Sequence, residues 1–210
     1  MNSFLKLING KKKFILTVYS ILILQLIVTF TIIYSFRDHP FLSEITKKSL
    51  IFYMFMTLGI LLVMLFIKMP TWLRFILFCS FTVFIAGMLH SISFYLPKEL
   101  IDKALYGAIS IFIAMTLFGF IITYFGIDIS WIGMYLLAAL LGLIIASILI
   151  MFMYVDKYHK ILIIIGLVIF SMLIVYNTNI ILLKNNVNVI DASLDFYLSF
   201  VNIFMHLLGR

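Results

Sequence analysis

The sequence predicts an all-α integral membrane protein, a bundle of seven transmembrane helices with the last helix central. Three observations carry this. First, 65% of the 210 residues are hydrophobic and 11% are charged, whereas a soluble domain has about 25% charged residues. Second, the apolar residues fall into seven runs of nearly the roughly 20 residues that cross a bilayer. Third, the final run, Asp191–Leu208, carries a polar stripe. Asp191, Asp195, Ser199, Asn202 and His206 share an arc of roughly 80° at about 100° per residue. A charge at the bilayer centre costs roughly 3 kcal/mol even on lenient insertion scales. The stripe must therefore turn from lipid, which packs this helix inside the others.

The runs cover about 14–36, 50–67, 75–95, 104–125, 131–154, 161–182 and 192–208, and residues 1–210 form one membrane domain. Lys6, Lys11, Lys12 and Lys13 precede the first run, which ends at Arg37-Asp38-His39-Pro40. It is longer than the 7–15 residue core of a secretory signal, so it is expected to stay as a helix. Within it, Thr17 and Gln25 are expected to face the bundle, the glutamine as a helix–helix hydrogen-bonding group. The joints hold all three prolines, Pro40, Pro70 and Pro97, where a missing N–H does no harm. Trp72 and Trp131 lie near segment ends, as interfacial anchors do. In the fifth run Ala138, Gly142 and Ala146 repeat every four residues, a face that lets another helix come close. Gly107, Ser110 and Ala114 suggest the same on the fourth. Basic residues tie at seven per side over all joints. Only the four N-terminal lysines favour a cytosolic N-terminus.

Composition also excludes. The net charge of +7 sits at the ends of apolar runs, where it reads as topology and lipid headgroup contact rather than nucleic-acid binding. The single cysteine, Cys79, rules out an internal disulfide. There is no His-Glu-x-x-His zinc site and no Gly-x-Ser-x-Gly elbow. Asp191 and Asp195 lie a turn apart on one helix, whereas an aspartyl dyad needs two elements. The third run does not end in Asp-Arg-Tyr, and the last has no lysine for retinal. The chain is therefore not read as an enzyme, and no cofactor or tightly bound metal is expected.

Polar groups at membrane depth remain. His90 is expected to be a hydrogen-bonded interface residue. Asn177 and Asn179, late in the sixth run, are placed to bridge to the stripe of the last helix, because only a short connector separates the two. With Asp195 at depth and Asp191 near the interface, these are hard oxygen ligands suited to weak Ca2+ or proton binding. Two readings stay open. The stripe lines a cation or proton path, or it holds the last helix in place through hydrogen bonds.

The same residues carry a resemblance. Val175-Tyr176-Asn177-Thr178, then Ala192-Ser193-Leu194-Asp195-Phe196-Tyr197-Leu198-Ser199-Phe200-Val201-Asn202-Ile203-Phe204 with Leu207-Leu208, resemble the C-terminal signature of the transmembrane Bax inhibitor motif family. That family includes the lifeguard and Golgi anti-apoptotic proteins and their poxviral and bacterial relatives. Val18-Tyr19-Ser20-Ile21-Leu22 with Gln25-Leu26 resembles its first helix, Pro70 with Phe81-Thr82 the start of its third, and Asp128-Ile129-Ser130 with Gly133 its fourth-to-fifth junction.

The resemblance implies seven helices around a central last one. It also implies suppression of apoptosis through a slow calcium leak in Golgi or endoplasmic reticulum membranes, or in the plasma membrane of a bacterium. In the family two acids, on the sixth and seventh helices, share a proton. Here those positions hold Asn177 and Ser199, so both carboxylates are absent. Asp195, one turn before Ser199 and roughly 6 Å along the helix, is expected to take over, with Asn177 or Asn179 as neutral partner. The alternative is a non-conducting protein that blocks cell death by binding apoptosis-related membrane proteins.

Overall fold

The computed structural model describes residues 2–37, 49–153 and 159–209. Among them are seven α-helices and no strand. They are α1 (Asn2–Arg37), α2 (Leu50–Phe66), α3 (Thr71–Ser93), α4 (Lys98–Tyr124), α5 (Gly133–Met153), α6 (His159–Leu183) and α7 (Val189–Leu208), with a 3-10 turn at Ser130–Ile132 before α5. Five of them, α1 and α3 to α6, contain stretches long and apolar enough to cross a bilayer. Helix α2 is apolar but only 17 residues long. Helix α7 is diluted by two aspartates, an asparagine and a histidine. The result is a multi-pass membrane protein.

Helix α1 starts twelve residues before its apolar run begins. The lysine-rich lead has no proline, and its lysines are good helix formers, so the helix runs through its single glycine, Gly10. One of those lysines also has a structural task. Lys11 Nζ donates to the carbonyl of Ile181, 3.2 Å away, and to that of Lys184. These are orphan carbonyls at the end of α6, where a cation also meets the negative end of the helix dipole.

The described residues form two compact units. The first comprises Met1–Leu16, Glu99–Asn188 and Asp195–Arg210. Its helix α4 ends at Gly126, with φ of 74°, a left-handed position that glycine takes without a Cβ penalty. The Ile127 N–H reaches back to the Ile122 carbonyl and the Gly126 N–H to that of Thr123, the double closure of a Schellman end. Phe112 meets Phe196 and Phe200 edge-on, each at 5.8 Å between ring centres.

Close approaches in this unit occur at other glycines than the sequence suggests. A Cβ on Gly119 would lie 2.6 Å from Thr178 Cβ, and side chains at Gly133 and Gly166 would overlap Tyr176 and His206. Gly107 is used as expected, against Leu207, but Ser110 and Ala114 are exposed. On α5, Ala138 and Gly142 are exposed, and nothing lies within 4 Å of a Cβ at Gly142. The helix instead buries Leu136 and Leu143. The spacing rule assumes two backbones meeting across small residues. Here Gly107, Gly133 and Gly166 each make room for one large side chain from a neighbour, and Gly119 alone for a small one, Thr178, beside the Val175 carbonyl, a pattern with no period.

The second unit comprises Thr17–Lys98 and Val189–Leu194. Helices α2 and α3 pack together, with Tyr53 against Gly87 at under 3 Å from a would-be Cβ. Gln25 is buried and its amide donates to Cys79 Sγ at 3.3 Å, the helix–helix bond expected of it. Thr17, expected to face inward, is exposed. A threonine can bond its own helix backbone, so its hydroxyl does not require an inward site. His90 is buried with Nδ1 3.3 Å from the Ile33 carbonyl.

Candidate functional site

The candidate residues divide between the two units. In the second, Asp191 stands in the first turn of α7 and is bonded by Arg74 of α3. Arg74 also donates to the Met64 carbonyl at 3.1 Å. The arginine follows Pro70, which starts α3 in extended geometry, and so stands in the helix's first turn. Asp191 is thus committed to an ion pair. Ser193 next to it donates to Val18 at 3.1 Å and to Val189 at 2.8 Å.

In the first unit the stripe continues through Asp195, Ser199, Asn202 and His206. Three of these serve the helix itself. Ser199 Oγ donates to the Asp195 carbonyl at 2.8 Å, Asn202 Nδ2 to that of Leu198 at 2.8 Å, and His206 Nδ1 lies 2.7 Å from that of Asn202. Each such bond returns a polar side chain to the carbonyl one turn back, which makes it tolerable in an apolar setting. His206 also meets Phe170, at 5.6 Å between ring centres. Asp195 differs. It is exposed, between Leu194 and the fully buried pair Phe196 and Tyr197. A charged side chain within a membrane helix is costly to place in lipid and generally faces water, the bundle interior or a partner. Asp195 and Asp128 both lie within electrostatic range of the Tyr176 hydroxyl on α6.

The two asparagines of α6 part company. Asn179 is fully buried and does not bridge to α7. Its Nδ2 donates to Thr123 Oγ1 and to the Ile127 carbonyl, both at 2.9 Å, and its Oδ1 accepts from the Ile129 N–H at 3.1 Å. Thr123 passes its own proton to Gly119 at 2.9 Å. The amide therefore clamps the α4–α5 junction. A loop that leaves a helix with unpaired backbone groups offers a buried amide better partners than another side chain does. Asn177 is buried and makes no hydrogen bond among the described residues.

The junction completes this end of the unit. Asp128 Oδ1 accepts from the Ser130 N–H at 2.8 Å and starts the 3-10 turn, while Oδ2 lies 3.8 Å from Lys184 Nζ. The Ser130 hydroxyl and N–H, and the lysine beyond them, hold the Asp128 carboxyl below the usual carboxylate range. A cavity of about 580 Å3 lies between α4, α5 and α6, with almost wholly apolar walls and with Ser171 and Tyr176 among its lining residues. Among the described residues no three histidine, cysteine, aspartate or glutamate side chains gather as a metal site would require.

Sequence reasoning passed over Arg74, Thr123, Tyr176, Asp128 and Lys184 as working parts. Asp-x-Ser before a helix is a capping signal and could have marked Asp128. The others become visible only through their partners.

The family model described as Inhibitor of apoptosis-promoting Bax1 matches residues 11–209. A curated relative, Protein LIFEGUARD 1 of Arabidopsis thaliana, is 29% identical over 207 residues, covering 93% of this chain and 87% of the relative.

Proposed function

Because the chain belongs to the family of inhibitors of apoptosis-promoting Bax1, we propose that it suppresses cell death from within a membrane as a slow leak for calcium or another cation. All seven helices cross the bilayer in this reading, with α7 at the centre. In a eukaryotic cell the membrane is that of the Golgi or endoplasmic reticulum. The carrying observation is Asp195, an exposed carboxylate on a helix whose other side chains are mostly buried. An ionisable group within a membrane helix commonly marks an ion or proton path. Asp195 supplies the charge, and Tyr176 and Asn177 supply neutral oxygen. Ser199 and Asn202, bonded to the helix backbone, shape the wall rather than hold the ion.

The test is calcium flux into proteoliposomes across about pH 5–8 for wild type and Asp195→Asn. Flux lost in the variant, together with its pH dependence, is the expected result. Unchanged flux in a folded variant overturns the role of Asp195.

A second reading rests on its own observation. The two family acids are replaced by Asn177 and Ser199, and Asp191 is held by Arg74. These changes leave a non-conducting protein that acts through other membrane proteins. It predicts no flux from folded wild type and unimpaired cell protection by Asp195→Asn.

A further inference from the structure

We propose that the cavity between α4, α5 and α6 holds one acyl chain of an anionic glycerophospholipid, with the phosphate at Lys184. Its size, about 580 Å3, lies within the range of about 300–1,000 Å3 typical of small-ligand sites. Its walls come from Phe118 of α4, Leu136 of α5, and Val168 and Met172 of α6. All three helices contain candidate spans, so the opening faces hydrocarbon. From Leu167 to Tyr176 the α6 wall runs about 14 Å at 1.5 Å per residue.

An apolar slot alone would take any hydrocarbon. This one adjoins a polar junction, which it reaches at Ile129. Tyr176 and Ile129 line the end nearest the junction. Asp128, next in the chain to Ile129, has its carboxylate 3.8 Å from the Lys184 ammonium. Lys11 bonds the Lys184 carbonyl, and Lys12 and Lys13 beside it are exposed. Asp128 is already engaged by the Ser130 N–H, and the lysines outnumber it. The junction that adjoins the slot at Ile129 is therefore basic. An amphiphile with an anionic head and an apolar tail matches both ends, and each lysine at a membrane surface is worth about 1 kcal/mol towards an anionic lipid. The lipid would tie α5 to α6 along a seam where, among the described side chains, α5 buries Leu136 and Leu143.

The test uses the full chain, delipidated in detergent, incubated with phosphatidylglycerol or phosphatidylcholine, and weighed intact by native mass spectrometry. Wild type should retain one phosphatidylglycerol and release phosphatidylcholine at the same detergent dilution. Val168→Trp and Met172→Trp, both at exposed positions on the slot, should lose the retained lipid. Ile164→Trp, exposed on α6 outside the slot, should keep it. Two filling variants guard against misfolding of either one. Lys184→Gln should lower the preference for phosphatidylglycerol about fivefold. Equal retention of the two lipids, retention undiminished in both filled variants, or a lipid-free dimer that only the filled variants break would each overturn the proposal.

Discussion

Helices α5 and α7 are similar in length and opposite in character. Helix α5 is apolar almost from end to end, and most of it is exposed, with Met134 at 80% and Tyr135 at 69%. Helix α7 carries two aspartates, a histidine and an asparagine, yet Phe196, Tyr197, Ile203 and Phe204 are completely buried. In water this would be inverted. In a bilayer an apolar side chain gains nothing by leaving lipid, so hydrophobicity cannot tell inside from outside, while polar groups can. Most side chains of α7 are accordingly buried, and most described ones of α5 are not.

The contrast implies that α5 is positioned chiefly by the polar junction at its start, and it can be broken there. The largest effect is expected from Asn179→Leu, which takes the partner from the Ile129 N–H and the Ile127 carbonyl and one of two hydrogen bonds from the Thr123 hydroxyl. A loss of about 3 kcal/mol should follow, visible as a lower melting temperature in detergent. Faster hydrogen exchange should begin in the first turns of α5. If α5 amides stay as protected as in wild type, packing rather than the junction holds it.

Next comes a pair of glycines. Gly119→Ala should cost about 1–3 kcal/mol by overpacking, because its new methyl meets Thr178 at 2.6 Å and the Val175 carbonyl at 3.0 Å. Gly142→Ala on exposed α5 should leave chemical-denaturation midpoints unchanged or slightly raised. Equal effects would remove the distinction between the two surfaces.

A smaller change is expected at the start of α7. Arg74→Met leaves Asp191 without its guanidinium, but side-chain exposures of 17% and 42% screen the pair, so about 1 kcal/mol is expected. Adding Asp191→Asn should recover part of it in a double-mutant cycle. The smallest effect concerns Asp128. Its carboxyl is held below the usual range in the folded state, so its contribution is fully present above the unfolded value of about 3.9. That contribution fades as pH falls through the lower folded value. Asp128→Asn should therefore flatten the acid limb of a stability–pH curve below about pH 4, and lower the neutral plateau by the small contribution that the carboxylate makes there.

Much of the site was legible because polar atoms are scarce in this chain. Gln25 and His90 each bond across to another helix, as a buried donor or acceptor must. What the letters do not carry is the partner. Asn179 has the same chemistry whether it turns to α7 or to the α4–α5 junction. The choice fell to the junction because unpaired backbone groups lie there at 2.9–3.1 Å. Asp195 belongs to the stripe by its spacing, but its exposure is set by the neighbouring side chains. Glycine packing escaped for a related reason. Gly119, Gly133 and Gly166 matter because of Thr178, Tyr176 and His206, which are distant in sequence.

By itself the sequence determined the helical class, the membrane setting and the polar stripe of the last helix. These follow from composition and from a period of 3.6 residues, both local properties of the chain. The tertiary structure decided which carboxylate is neutralised and which is exposed, which amide clamps a turn, and which face of each uniformly apolar helix turns inward. Those are contacts between remote residues, and within hydrocarbon no hydrophobic gradient along the chain announces them.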